Sequence, residues 1–128
     1  MNVFLVVVVV AAVGAMLLYR TSAAQDPGDV SVIEQLRAAG SDLSKPHPLQ
    51  FYLYVPTEEA AKRAAAVLSR QGFQVDVRTA AMGSGWLALA SKTLVPTNKA
   101  LARIRQLLSK LASEEGGEYD GWEAQVTK

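Results

Sequence analysis

The chain has no cysteine, one histidine and almost no net charge. Without cysteine it can form no disulfide scaffold, no zinc–thiolate site and no thiol nucleophile, and its redox compartment stays open. A single histidine, His47, leaves neither a His-rich metal centre nor a catalytic triad with material to build from. A formal charge of +1 supplies no overall field for nucleic acid. Its 128 residues are enough for one compact domain. Aromatics are scarce, at 7%. Two of them nevertheless fall in Gly116–Val126 (GGEYDGWEAQV), where Tyr119 and Trp122 stand among three glycines and three acids.

Hydrophobicity is not scarce at the start. Val3–Leu18 (VFLVVVVVAAVGAMLL) is unbroken and apolar. As a helix it is about 24 Å long, and Met1, Asn2 and Tyr19 bring it close to a bilayer core of roughly 30 Å. Residues 1–20 therefore read as a transmembrane anchor, with residues 3–19 in the membrane. Arg20 follows the run and no Lys or Arg precedes it, so the positive-inside rule places the C-terminal domain in the cytoplasm. The implied location is the inner membrane, single-pass. The competing reading is a signal peptide cleaved near Ala24, at Ser22–Ala23–Ala24, followed by export. It lacks a basic n-region. Residues 21–28 (TSAAQDPG) read as a tether, leaving 29–128 as the domain.

The domain opens with a short helix over Asp29–Gly40, with Asp29 as N-cap and Val30, Ile33 and Leu36 on its apolar face. Ser41–Pro48 is a loop that contains His47. Leu49–Val55 alternates, with Leu49, Phe51, Leu53 and Val55 on one face and Tyr52 and Tyr54 on the other. Thr57 caps a helix with an alanine stripe (Ala61, Ala64, Ala65, Leu68). Glu58–Lys62 and Glu59–Arg63 are its i,i+4 pairs. Phe73–Thr79 and Trp86–Leu94 read as a hairpin, and Leu87 is expected to join Phe51, Leu53 and Val75 beneath the helices. Pro96 and Thr97 start a second helix with Leu101, Ile104, Leu108 and Leu111 on one face. Lys99, Arg103, Gln106 and Lys110 lie opposite. Trp122–Val126 is the last strand. The order is helix, then β-α-β-β-α-β, an α+β ferredoxin-like sandwich with both helices on one face of a four-stranded antiparallel sheet.

Chemistry is hard to find. Glu58–Glu59 and Glu114–Glu115 are adjacent on helices, so their side chains diverge by about 100° and read as solvated ends. Glu118, Asp120 and Glu123 could attract a cation or a basic partner, but not in calcium-loop spacing. His47 has no evident nucleophile or orienting acid, and Ser84 in GSGW lacks the spacing of a nucleophile elbow. No catalytic residue, metal or cofactor is expected, and a small hydrolase ranks last. Tyr52, Tyr54 and Trp86 are expected on the open sheet face, more in keeping with protein contact than with RNA. An RNA-binding module using that face or the basic helix stripe is the alternative. The RNP1 pattern is absent, and direct nucleic-acid binding is disfavoured.

Three stretches, SDLSKPHPLQFYLYVPTEEAA, GSGWLALASKTLVP and GGEYDGWEAQV, together resemble the family of regulators of ribonuclease E activity B (ribonuclease E inhibitor B). The matching segments are Asp42–Pro46, Phe51–Ala61, Gly85–Trp86 and Gly117–Glu123, and the likeness spans Val30–Val126. The resemblance implies a ferredoxin-like, non-enzymatic module that binds a protein, ribonuclease E or another RNA-decay component. It carries over no catalytic residue. The candidates it offers for shaping a contact are Gly85, Trp86, Tyr119, Asp120, Gly121, Trp122 and Glu123, beside Tyr52 and Tyr54. Familiar members are acidic and soluble, whereas this chain is near neutral and begins with an apolar run.

Overall fold

The computed structural model describes residues 6–8, 27–81 and 83–128. Its elements are β1 (Val6–Val8), α1 (Pro27–Ala38), β2 (His47–Val55), α2 (Glu58–Arg70), β3 (Gln74–Thr79), β4 (Trp86–Leu94), α3 (Asn98–Glu115) and β5 (Glu118–Gln125). The sheet order is β1-β5-β2-β4-β3, with antiparallel pairing throughout. Without β1, the remaining order is that of the ferredoxin-like sandwich expected from the sequence.

The expected membrane helix falls mostly outside the described residues. Val6–Val8 form a strand paired with Gln125, Ala124 and Glu123. No helix among the described residues is long and apolar enough to cross a membrane. The two last tether residues, Pro27 and Gly28, already belong to α1. Pro27 opens that helix, where its missing N–H costs nothing. Asp29 is therefore not the N-cap but sits in the first turn. The buried face of α1 is Val32 and Leu36, with Ile33 partly buried and Val30 exposed.

Thr57 and Thr97 cap α2 and α3 as their positions foretold, each accepting from the backbone N–H three residues on. Ala60, Ala61, Ala64 and Leu68 of α2 and Leu101, Ile104, Leu108 and Leu111 of α3 are buried against the sheet. Small alanines let α2 lie close. Glu58–Lys62 forms at 3.7 Å, but Arg63 turns from Glu59 to grip Glu115 at 2.8 Å. Glu115 is thus no idle helix end. The guanidinium, hydrogen-bonded to it, holds its carboxyl below the usual range.

Phe51 lies at the centre of the core, edge-on to Phe73 with centroids 5.8 Å apart and 6.5 Å from Trp122. The strands β2 and β4 pair Phe51 with Ala90, Leu53 with Ala88 and Val55 with Trp86. Hence Ala88, Ala90 and Trp86 face the helices, while Leu87 and Leu89 stand beside Tyr54 and Tyr52 on the opposite face. This reverses two expectations: Leu87 is not under the helices, and Trp86 is not on the open face. A strand's period of two makes both follow from one choice of register. Alanine beneath alanine-rich α2 brings the helix nearer than leucine would.

Candidate functional site

The stretch GGEYDGWE resolves into separate physical tasks. Gly116 caps α3. A Cβ on Gly117 would stand 2.0 Å from the Tyr54 carbonyl oxygen, so only glycine permits this approach of β5 to β2. Between the pairs Phe51–Trp122 and Leu53–Tyr119, β5 carries two residues, Asp120 and Gly121, opposite the single Tyr52. This is a β-bulge, and Gly121 takes the left-handed φ of +95° that such a bulge asks of glycine. The extra residue shifts the phase of the strand. Tyr119 and Trp122, three apart, would otherwise face opposite ways; the bulge turns both toward the helices, where both join the core.

Trp122 is 2% exposed. Its Nε1–H donates to Asp29 Oδ1 at 2.9 Å, and Arg105 donates to Asp29 Oδ2 at 2.6 Å. Asp29 is buried and Arg105 nearly so, with 12% of its side chain exposed. One carboxylate thus ties α1 to α3 and to β5. A buried ion pair of this kind survives because its remaining lone pairs are hydrogen-bonded. Arg105 was invisible to sequence reading: it sits between the basic stripe and the apolar face of α3, and nothing local marks its partner 76 positions away.

His47 is likewise not a loop residue. It begins β2 and is fully buried. Its Nδ1 lies 2.7 Å from the Lys45 carbonyl oxygen, which can only accept, so Nδ1 carries the proton. Nε2 then accepts from the Ser41 hydroxyl at 2.7 Å, and Ser41 Oγ accepts from the Thr127 N–H at 2.8 Å. A serine–histidine contact is present, but the imidazole is sealed from any substrate. Its work is to knot the loop after α1 to the start of β2 and, through Ser41, to the segment beyond β5.

What remains is the sheet face on which, among the described residues, no helix packs. At its centre are Leu87 and Leu89, shielded yet outside the core cluster, beside half-buried Tyr54 and Tyr52. Asp76 and Arg78 pair with one another on the β3 side. Glu118, Asp120 and Glu123 line the β5 side. Tyr52 donates to Glu123 Oε1 at 2.6 Å. Burial, and then that acceptor, push the Tyr52 hydroxyl up to about 12. Burial, followed by the charge of Asp120, raises Tyr54. Burial and then Glu118 raise Asp120. Among the described residues these acids do not gather into a group that could hold a metal. A shallow depression of about 160 Å³ lies at one end of the face, where Gln50, Ser91 and Glu123 meet.

Of the sequence candidates, Tyr52, Tyr54, Asp120 and Glu123 thus come together on the open face. Trp86, Tyr119 and Trp122 face the helices. Gly121 forms the bulge, and Gly85 leads from the hairpin turn into β4, where an added Cβ would stand 3.1 Å from the Val55 carbonyl oxygen. Lys99, Arg103, Gln106 and Lys110 are all exposed on α3, well solvated. Sequence reading missed Leu87 and Leu89 as members of the open face, because alternation gives two faces without saying which is covered.

Among the described residues, the buried Asp29 and His47 and the nearly buried Arg105 hold the fold together, and the sheet face that no helix covers mixes tyrosine, leucine and acid. A family model described as regulator of ribonuclease activity B matches residues 28–124. The chain belongs to that family, whose members are regulators acting on a ribonuclease through protein binding and not enzymes themselves. No curated protein matches the chain.

Proposed function

We propose that this chain regulates a ribonuclease of the ribonuclease E type by docking on it through the open sheet face, and that the apolar run ahead of the domain holds it at the inner membrane with the domain in the cytoplasm. The observation that carries the reading is the family match over residues 28–124. The open face supports the mode of binding. Tyrosine is enriched at protein-contact centres, and Tyr52 and Tyr54 both lie on this face. The acids of β5 supply, locally, the negative charge that a basic, RNA-binding partner would meet, although the chain as a whole is at +1. Membrane attachment is supported by the length of Val3–Leu18 and by Arg20 behind it.

The test is a cleavage assay with purified ribonuclease E, a labelled RNA and the full-length chain. Inhibition by the wild type should weaken about tenfold in Tyr54→Ala combined with Asp120→Lys, without loss of folding. It should survive when Lys99, Arg103 and Lys110 are all replaced by Gln. Open-face variants that inhibit as well as wild type would refute this docking surface, and dependence on the α3 stripe would point to RNA contact instead.

A further inference from the structure

The family match starts at residue 28. Within that match β5 is an edge strand, and a bare edge presents a row of unpaired N–H and C=O groups that another strand can occupy. In this chain it is occupied from outside the matched domain. Val6, Val7 and Val8 pair antiparallel with Gln125, Ala124 and Glu123. Those three valines also lie in the first half of the sixteen-residue apolar run, Val3–Leu18.

The two uses of the run exclude each other. A spanning segment must satisfy all its backbone groups internally, as a helix. A strand on β5 satisfies them through β5. Nor can β5 follow the run into lipid, because Glu118, Asp120, Glu123 and Gln125 belong to it. We infer that the outer edge of β5 is a strand-docking site whose resident occupant is Val6–Val8 of the chain's own N-terminal run, and that insertion of this run into a bilayer strips the edge bare. The domain is then capped off the membrane and uncapped on it. Uncapping leaves an extended backbone edge next to the acids of the open face. The inference rests on the membrane reading proposed above and adds a state to it.

The absence of cysteine makes the test clean. Val6→Cys together with Gln125→Cys places one thiol on each strand at a register pair. Cross-strand partners have Cα atoms about 4.5–5.5 Å apart, within disulfide reach. Gln125 is exposed, so the change spares the core. The full-length variant is oxidised or reduced and floated with phosphatidylcholine–phosphatidylglycerol vesicles, and amide exchange is followed at Glu123–Gln125. The reduced protein should bind vesicles, and exchange should quicken at least tenfold on binding at those of the three amides whose N–H faces β1, while those that face β2 stay protected. The oxidised protein should bind at least tenfold more weakly. Failure of the disulfide to form would overturn the pairing. Equal vesicle binding by both forms, or unchanged protection on vesicles of the amides in Glu123–Gln125 that face β1, would overturn the exclusion. A reduced protein that ignores vesicles while the disulfide still forms would refute the membrane reading and the uncapping with it, leaving only the edge contact standing.

Discussion

Replacing Trp122 separates holding the fold from holding a partner. Trp122 is 2% exposed, stacks obliquely on Phe51 and donates to Asp29. Trp122→Ala should cost about 3–5 kcal/mol, the usual loss for truncating a large aromatic in a packed core. Trp122→Phe keeps a ring against Phe51 and removes the N–H. A hydrogen bond to a charged group contributes about 1.5–3 kcal/mol. Because Arg105 still satisfies Asp29, the lower end, about 1.5–2 kcal/mol, is expected. Asp29→Ala is worse, at about 3–5 kcal/mol, since it strands a nearly buried guanidinium. The pair should couple: in an Asp29→Asn background, Trp122→Phe should lose at least about 0.5 kcal/mol less than it does alone. Urea unfolding followed by circular dichroism reads all of these. For a domain near 100 residues each kcal/mol also moves Tm by about 4–8 °C. Inhibition of the ribonuclease, corrected for the folded fraction, should be unchanged by Trp122→Phe. If Trp122→Phe is as stable as wild type, or if it loses partner binding while keeping its stability, the assignment of this tryptophan to the fold is wrong.

Asp120 gives a prediction in pH. Its carboxyl is raised by burial and by Glu118, so the folded state favours the protonated form. A raised carboxyl pKa subtracts stability once pH exceeds the unfolded value, and the loss grows until pH passes the folded one. Asp120→Asn should therefore raise Tm at pH 7, and the advantage should shrink as pH falls toward 4, near the ordinary Asp value of about 3.9. A variant no more stable than wild type at pH 7 would contradict that environment. Gly117→Ala drives a Cβ to 2.0 Å from the Tyr54 carbonyl oxygen and 2.9 Å from Val55 Cγ1. A loss of roughly 2–3 kcal/mol in urea unfolding is expected, and a neutral result would mean that β5 does not enter the sheet as described.

Much of the architecture was legible. The caps Thr57 and Thr97, the extent of β4, the α3 face and the β-α-β-β-α-β order all follow from local rules, and the structure keeps them. The misses share a physical cause. Leu87 and Trp86 were placed on the wrong faces because alternation is symmetric until a helix chooses a side. Glu59–Arg63 was expected from i,i+4 spacing, but a neighbour on another helix outcompeted it. The last strand begins at Glu118 and not at Trp122, because a bulge hides its first half from a period-two reading. Of the open face, Tyr52, Tyr54, Asp120 and Glu123 were foreseen, while Leu87 and Leu89 were not.

Past the N-terminal run, the amino-acid sequence by itself determined the elements, their order and the family, since each is written in local periodicity, capping and turn residues; that Val6–Val8 pair with β5 as a strand it did not show. It also marked GGEYDGWE as special without saying why. Only the tertiary structure decided what that stretch does. A bulge opposite Tyr52 sets the phase of β5, Gly117 admits its backbone, and Trp122 finds a carboxylate 93 positions away. Those are contacts between segments that no local pattern encodes. They leave Tyr52, Tyr54 and the acids of β5 on the face that, among the described residues, no helix covers.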